Sequence, residues 1–162
     1  SPAAVAGKAP GLAGPGMAAR LPPRRARRCG PEGAMGKEHT RDLQLDFGAD
    51  GQALIPVVTQ DARTKEVLIL AFANREAFDE TRRSGYATYW SRSRKELWKK
   101  GLTSGDLLKM VEIRINCEQN SLLYLVTPEG KGACHAKKAD GLPYSSCYYR
   151  RIETDGSLTV VG

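Results

Sequence analysis

Residues 107–115 read LLKMVEIRI and set Val111, Ile113 and Ile115 on one face of an extended chain, with Glu112 and Arg114 on the other. That period of two marks a strand with one side against a core. Working outward, residues 121–126 (SLLYLV) give a second strand, and the polar run between the two reads as a turn. Upstream, residues 52–60 (QALIPVVTQ) read as a strand whose Pro56 suits an edge or an entry position. Residues 66–72 (EVLILAF) read as a buried strand after the turn Ala62-Arg63-Thr64-Lys65. Asn74 can cap a short helix running through Ser84, with Gly85 as its stop. Residues 86–90 (YATYW) are aromatic and β-prone, and residues 91–105 form a polar, basic loop with room for one helical turn. Further strands are expected at 146–152 and 158–161, around the turn Thr154-Asp155-Gly156-Ser157. The expected fold is α+β: a β-rich single domain with a mixed sheet and one or two short helices.

The 162 residues include 25 Lys+Arg and 18 Asp+Glu, a formal charge of +7. Residues 1–38 hold seven of the basic residues and two of the acidic ones, so the excess sits mostly in this stretch. It is rich in Ala, Gly, Pro and Arg, lacks large apolar residues, and is expected to be a disordered tail ahead of a domain at 39–162. Three readings of it compete: sequence upstream of a true start at Met35 or Met17, an organelle transit peptide, or a basic arm. The domain itself is nearly balanced in charge, which argues against a nucleic-acid partner. The longest apolar run, 67–73, is far short of a membrane span, so no membrane partner is expected. The cytoplasm is the expected compartment, with import through the tail the weaker alternative.

Of four cysteines, Cys29 lies in the tail, which leaves Cys117, Cys134 and Cys147. Three thiols make a poor disulfide framework and a suitable set for a zinc site with one open position. Their separations of 17 and 13 residues match no zinc knuckle, so small buried cysteines are an equal competitor. Local context favours chemistry. Asn116, Glu118 and Asn120 alternate with Cys117, which would place hard oxygens and a soft sulfur back to back, although a solvated turn explains the same residues. His135, one of two histidines, follows Cys134 directly and can carry a proton near neutral pH.

A second constellation runs from Trp90, Ser91, Arg92, Ser93 and Arg94 to Lys100, Thr103 and Ser104. Its guanidinium forks, ammonium groups, hydroxyls and glycines suit a phosphate or phosphoribosyl group, without forming a Walker loop. A basic surface loop is the plain alternative.

In combination and order, WSRSRKELWKKGLTSG, the Cys117 segment, Cys134-His135 and Ser146-Cys147-Tyr148-Tyr149-Arg150 resemble the phosphoribosyl-AMP cyclohydrolase family of histidine biosynthesis. The resemblance covers roughly residues 54–152. It implies hydrolysis of the adenine N1–C6 bond of phosphoribosyl-AMP by a homodimer. It further implies zinc held by Cys117, Cys134 and Cys147 drawn from both subunits, with magnesium close by; His135, beside Cys134, is the best candidate for general base. Trp90, Ser91, Arg92, Ser93, Arg94, Lys100, Thr103 and Ser104 would hold phosphate or ribose. Two departures stand out. The family's Asp-Cys-Asp-x-Asp reads Asn116-Cys117-Glu118-Gln119-Asn120, so the magnesium cluster Asn116, Glu118 and Asn120 is expected to bind more weakly. The segment 136–145 between Cys134-His135 and Ser146-Cys147 is expanded, a loop insertion that leaves both thiols available. The rivals are a non-catalytic zinc-binding paralogue and a nucleic-acid-binding module stacking bases on Trp90 and Trp98.

Overall fold

The computed structural model describes residues 36–162, so most of the tail expected to be disordered lies outside the described residues. Eight strands and one helix follow in the order β1 (Ile55–Asp61), β2 (Val67–Ala73), α1 (Arg75–Ser84), β3 (Thr88–Ser91), β4 (Glu96–Lys99), β5 (Leu108–Ile115), β6 (Leu122–Pro128), β7 (Arg150–Ile152) and β8 (Leu158–Val160). The main sheet has the order β2-β1-β6-β5. β1 pairs antiparallel with β2 and parallel with β6, and β5 closes antiparallel on β6. This is the mixed, mostly stranded α+β domain the pattern calls for. Pro56 sits at the entry of β1, ahead of the parallel pairing that starts at Val57, so no ladder bond is lost there.

One face of the sheet is the core. Ile55, Val57 and Thr59 of β1 stand beside Leu122, Tyr124 and Val126 of β6, and the cluster continues into Ala77 and Phe78 of α1 and Tyr89 of β3. α1 forms where the residues ask for it. The buried Asn74 side chain accepts the Ala77 N–H at 2.9 Å, and Gly85 closes the helix in the left-handed region at φ 73. Glu76 in the first turn and Arg82 and Arg83 in the last complement the helix dipole. Thr81 ties the helix to β3, its Oγ1 accepting the Thr88 N–H at 3.0 Å. Register places Val58, Leu70, Phe72, Leu123 and Leu125 on the opposite face, where Leu70 is 46% exposed. That outer face is apolar and only partly covered.

Three details depart from the sequence pattern. The polar loop expected at 91–105 contains β4, which pairs Leu97 with Trp90 and Trp98 with Tyr89. Its charged ends hide the strand, and Lys95 at φ 54 makes the turn in place of the expected helical one. In β5 a bulge between Met110 and Glu112 pushes Val111 out of the ladder, leaving it 58% exposed. Leu108 and Met110 therefore share the core face with Ile113 and Ile115. Finally, the strand expected at 146–152 shrinks to Arg150–Ile152. Ser146 and Cys147 instead hydrogen-bond to carbonyls of β2.

Candidate active site

Cys134 and Cys147 meet at the end of the sheet where β6 finishes and β2 begins. The Cys134 N–H bonds to the Tyr144 carbonyl at 3.1 Å, and Ala133 N–H to the Ser145 carbonyl at 3.1 Å. The insertion between them folds on itself as a small hairpin, with Lys137 bridged to Pro143 and the Lys138 N–H on the Leu142 carbonyl at 2.8 Å. Thirteen residues of separation thus close to side-chain contact. Ser146 sets the second thiol: its Oγ donates to the Val67 carbonyl at 2.7 Å and accepts the Tyr148 N–H at 2.9 Å. The Cys147 N–H bonds to the Leu68 carbonyl at 2.8 Å. Tyr144 stacks on Tyr149 at 3.8 Å between centroids and pins the insertion to the chain beyond Cys147.

Both thiols are free, Cys134 buried and Cys147 half-buried. Burial first, then the charge and hydrogen bond of the adjacent Cys134, push the Cys147 thiol up to about 11 against the pull of Lys100. Lys100 itself is 7% exposed, with its ammonium 5.7 Å from the Trp98 ring centroid. An open cleft of about 880 Å³ connects Cys134 and His135 with Lys100, Ser104, Lys131 and Lys137. A smaller one of about 350 Å³ runs from His135 past Thr103 to Arg94. Two glycines let the walls close up. A Cβ on Gly101, at φ 80, or on Gly130 would run into Asp106, whose Oδ1 takes the Lys131 N–H at 2.9 Å.

The remaining site residues lie elsewhere. Trp90, Ser91, Arg92 and Ser93 line a separate groove of about 560 Å³ against Leu70 and Phe72, with the Arg92 guanidinium 4.2 Å over the Phe72 ring. Arg94, at the far end of the smaller cleft, pairs with Glu96 at 3.0 Å on the surface. Cys117 is exposed in the turn from β5 to β6, at the opposite end of that hairpin from Cys134. β6 has seven residues, so at ~3.3 Å each roughly 20 Å of strand separates the two ends. Three sulfurs on one zinc sit at about 2.3 Å from it, within ~4 Å of each other. No group of three metal-ligating side chains forms among the described residues. The donor set fits zinc in its two paired thiols; within one chain the third is out of reach.

The 116–120 turn does not fit magnesium in the same way. Asn116 Oδ1 accepts the N–H groups of Asn120 and Ser121, both at 2.9 Å, and Asn116 Nδ2 donates to Asn120 Oδ1 at 2.6 Å. Asn120 Nδ2 donates to Glu118 Oε2 at 3.1 Å.

Sequence reasoning passed over Lys131, Lys137 and Gln119. The two lysines join the cleft only because the 129–137 loop folds back, which no local pattern reports. Gln119, buried at φ 53, accepts the Gln44 N–H at 2.6 Å and donates to the Asp42 carbonyl at 3.1 Å. A bulky side chain in a turn's left-handed position was its one available signal.

A stranded α+β domain that gathers a free thiol, an imidazole and three lysines around one cleft, with a second thiol against the first, has the parts of an enzyme site. The family model for phosphoribosyl-AMP cyclohydrolase matches residues 69–149, a stretch containing Cys117, Cys134, Cys147 and His135, and the chain belongs to that family of hydrolases. It is similar to the phosphoribosyl-AMP cyclohydrolase of Archaeoglobus fulgidus, 53% identical over 113 residues, covering 70% of this chain and 96% of that protein. The phosphoribosyl-AMP cyclohydrolase of Desulfatibacillum aliphaticivorans is 48% identical over 120 residues, 74% of this chain and 90% of that protein. The histidine biosynthesis bifunctional protein HisIE of Aquifex aeolicus is 47% identical over 111 residues, 68% of this chain and 50% of that protein.

Proposed function

We propose that the chain hydrolyses phosphoribosyl-AMP in histidine biosynthesis, opening the adenine ring between N1 and C6. One observation carries the reading beyond family membership. Cys134 lines one cleft with His135 and Lys100 and meets Cys147 beside it, while Cys117 stands exposed at the far end of the β5–β6 hairpin. A second copy of the chain supplies the missing thiol. Zinc would then be held by Cys117 of one copy together with Cys134 and Cys147 of the other. The partly covered outer sheet face around Leu70 gives such a homodimer apolar surface to bury. Three thiols that must stay unpaired fit a reducing cytoplasm.

Zinc in such a site, when bound, supplies a Lewis acid that brings the pKa of a water towards ~7. His135 takes the proton of the attacking water at the cleft mouth. As oxygen bonds to C6, its remaining proton passes to the exocyclic imine nitrogen, which becomes the carboxamide NH2; the N1–C6 bond breaks with its electron pair on N1, His135 returns the first proton there, and C6 becomes the carboxamide carbonyl. N1 carries the second ribosyl group, which makes it a better leaving atom. Lys100, Lys131, Lys137, Thr103 and Ser104 hold phosphate and ribose in the cleft. Arg92, Arg94, Ser91 and Ser93 form a second cluster on the β3–β4 hairpin, beside Trp90. A substrate with a phosphate at each end suits two separate cationic clusters.

The test is turnover of phosphoribosyl-AMP by zinc-loaded protein, followed as ring-opened product. Cys117→Ser, Cys134→Ser and Cys147→Ser should each lose zinc and turnover together, and Cys29→Ser neither. Full zinc content in the Cys147→Ser protein would contradict the assignment.

A further inference from the structure

We propose that the Cys117 turn is closed by its own amides and holds no divalent cation, so that amide N–H groups stand where the family resemblance implies magnesium. The inference rests on the proposed function in one respect, that Cys117 serves the site.

The N–H groups of Asn120 and Ser121 both point at Asn116 Oδ1 and occupy both of its lone pairs. This fixes the orientation of the Asn116 amide, because the flipped form would set Nδ2 against two donors. Nδ2 must then face Asn120, whose oxygen meets it at 2.6 Å. With that oxygen engaged, the Asn120 nitrogen faces Glu118 and donates to Oε2. The chain of bonds is directional and complete, and ends on the one carboxylate present. Three carboxylates at these positions would repel one another and need a cation between them. Two amides and one carboxylate attract instead. Magnesium demands near-octahedral oxygen at about 2.0–2.1 Å and prefers carboxylates. Here one amide oxygen is fully used, the other already accepts, and a single negative charge remains.

A separate clamp reinforces the turn. Gln119 reaches back to the backbone of Asp42 and Gln44, so the segment ahead of β1 lies over the same five residues. Cys117 is thus presented by a turn whose shape depends on hydrogen bonds alone. The substitution of two aspartates by asparagines reads as an exchange of one closure for another, without loss of the thiol.

The experiment uses the full zinc-loaded chain, stripped of other divalent ions, with Mn2+ as a paramagnetic probe for the magnesium position. In the parent we expect no Mn2+ bound at the turn and a thermal midpoint that millimolar Mg2+ leaves in place. Asn116→Asp with Asn120→Asp should lower the midpoint in the absence of cation and regain it with Mg2+, binding one Mn2+ per chain. Should the double variant fail to fold, Asn120→Asp alone should show the same response in weaker form. Stoichiometric Mn2+ binding by the parent that disappears in Glu118→Gln would overturn the inference, and it needs no folded aspartate variant. Zinc content and turnover are read on the same parent sample. Their loss would count against the proposed function and leave the Mn2+ result to stand by itself.

Discussion

Asp61 ends β1 by accepting the N–H groups of Arg63 and Thr64 at 2.7 and 3.0 Å. Burial raises its pKa, but those two bonds and the Arg63 charge outweigh it and hold the carboxyl below the ordinary value of 3.8. A carboxylate lowered on folding contributes stability that is full above its unfolded pKa and is lost as the pH falls through the folded one. Asp61→Asn keeps an acceptor but cannot titrate. Its unfolding free energy should therefore fall less steeply than the parent's below about pH 4, as measured by urea melts across the acid range. Ser146 offers a second test at this scale. Ser146→Ala leaves the Val67 carbonyl and the Tyr148 N–H without their partner, at a cost of about 1–3 kcal/mol. It should also speed alkylation of Cys147 in the metal-free protein, because the hydroxyl anchors that thiol to β2. The identity of these residues is legible in the sequence. Ser146-Cys147 and Cys134-His135 stand out as dipeptides, but a closure spanning 13 residues is made by a hairpin whose packing no local pattern encodes.

At the scale of elements, legibility follows the strength of periodicity and caps. α1 can be read residue by residue, since Asn74 and Gly85 each have a physical role at a helix end. Asn74→Ala should lower stability by about 1–2 kcal/mol in chemical denaturation, and more than Asn74→Ser, which keeps a capping oxygen. β1, β2 and β6 were legible because buried apolar runs bounded by turns leave few alternatives. β4 was not, because Glu96 and Lys99 at its ends, with Lys100 just beyond, give it the composition of a loop, and its pairing with β3 is a tertiary fact. The β5 bulge escaped for a related reason: alternation in sequence continues through Val111 while alternation in space does not. The walls of the cleft are also elements in contact. Gly130→Ala drives a methyl into Asp106, and the loops carrying Lys131 and Ser104 must part. The expected loss is about 1–3 kcal/mol, with a rise in KM for substrate larger than any fall in kcat.

For the molecule as a whole, the sequence names three cysteines and the fold of one chain unites two. Distance decides the matter, since roughly 20 Å of strand cannot be spanned by bonds of ~2.3 Å. Sites assembled from two copies are a property that subunit mixing reads directly. Cys117→Ser and Cys147→Ser proteins, each inactive alone, are unfolded together, refolded with zinc and assayed with phosphoribosyl-AMP. In a mixed dimer, the Cys117→Ser copy supplies Cys134 and Cys147 while the Cys147→Ser copy supplies Cys117, which rebuilds one whole site. With random pairing the mixture should recover about one quarter of the parent's turnover and the matching share of zinc. No recovery in a preparation that demonstrably contains mixed dimers would contradict the shared site.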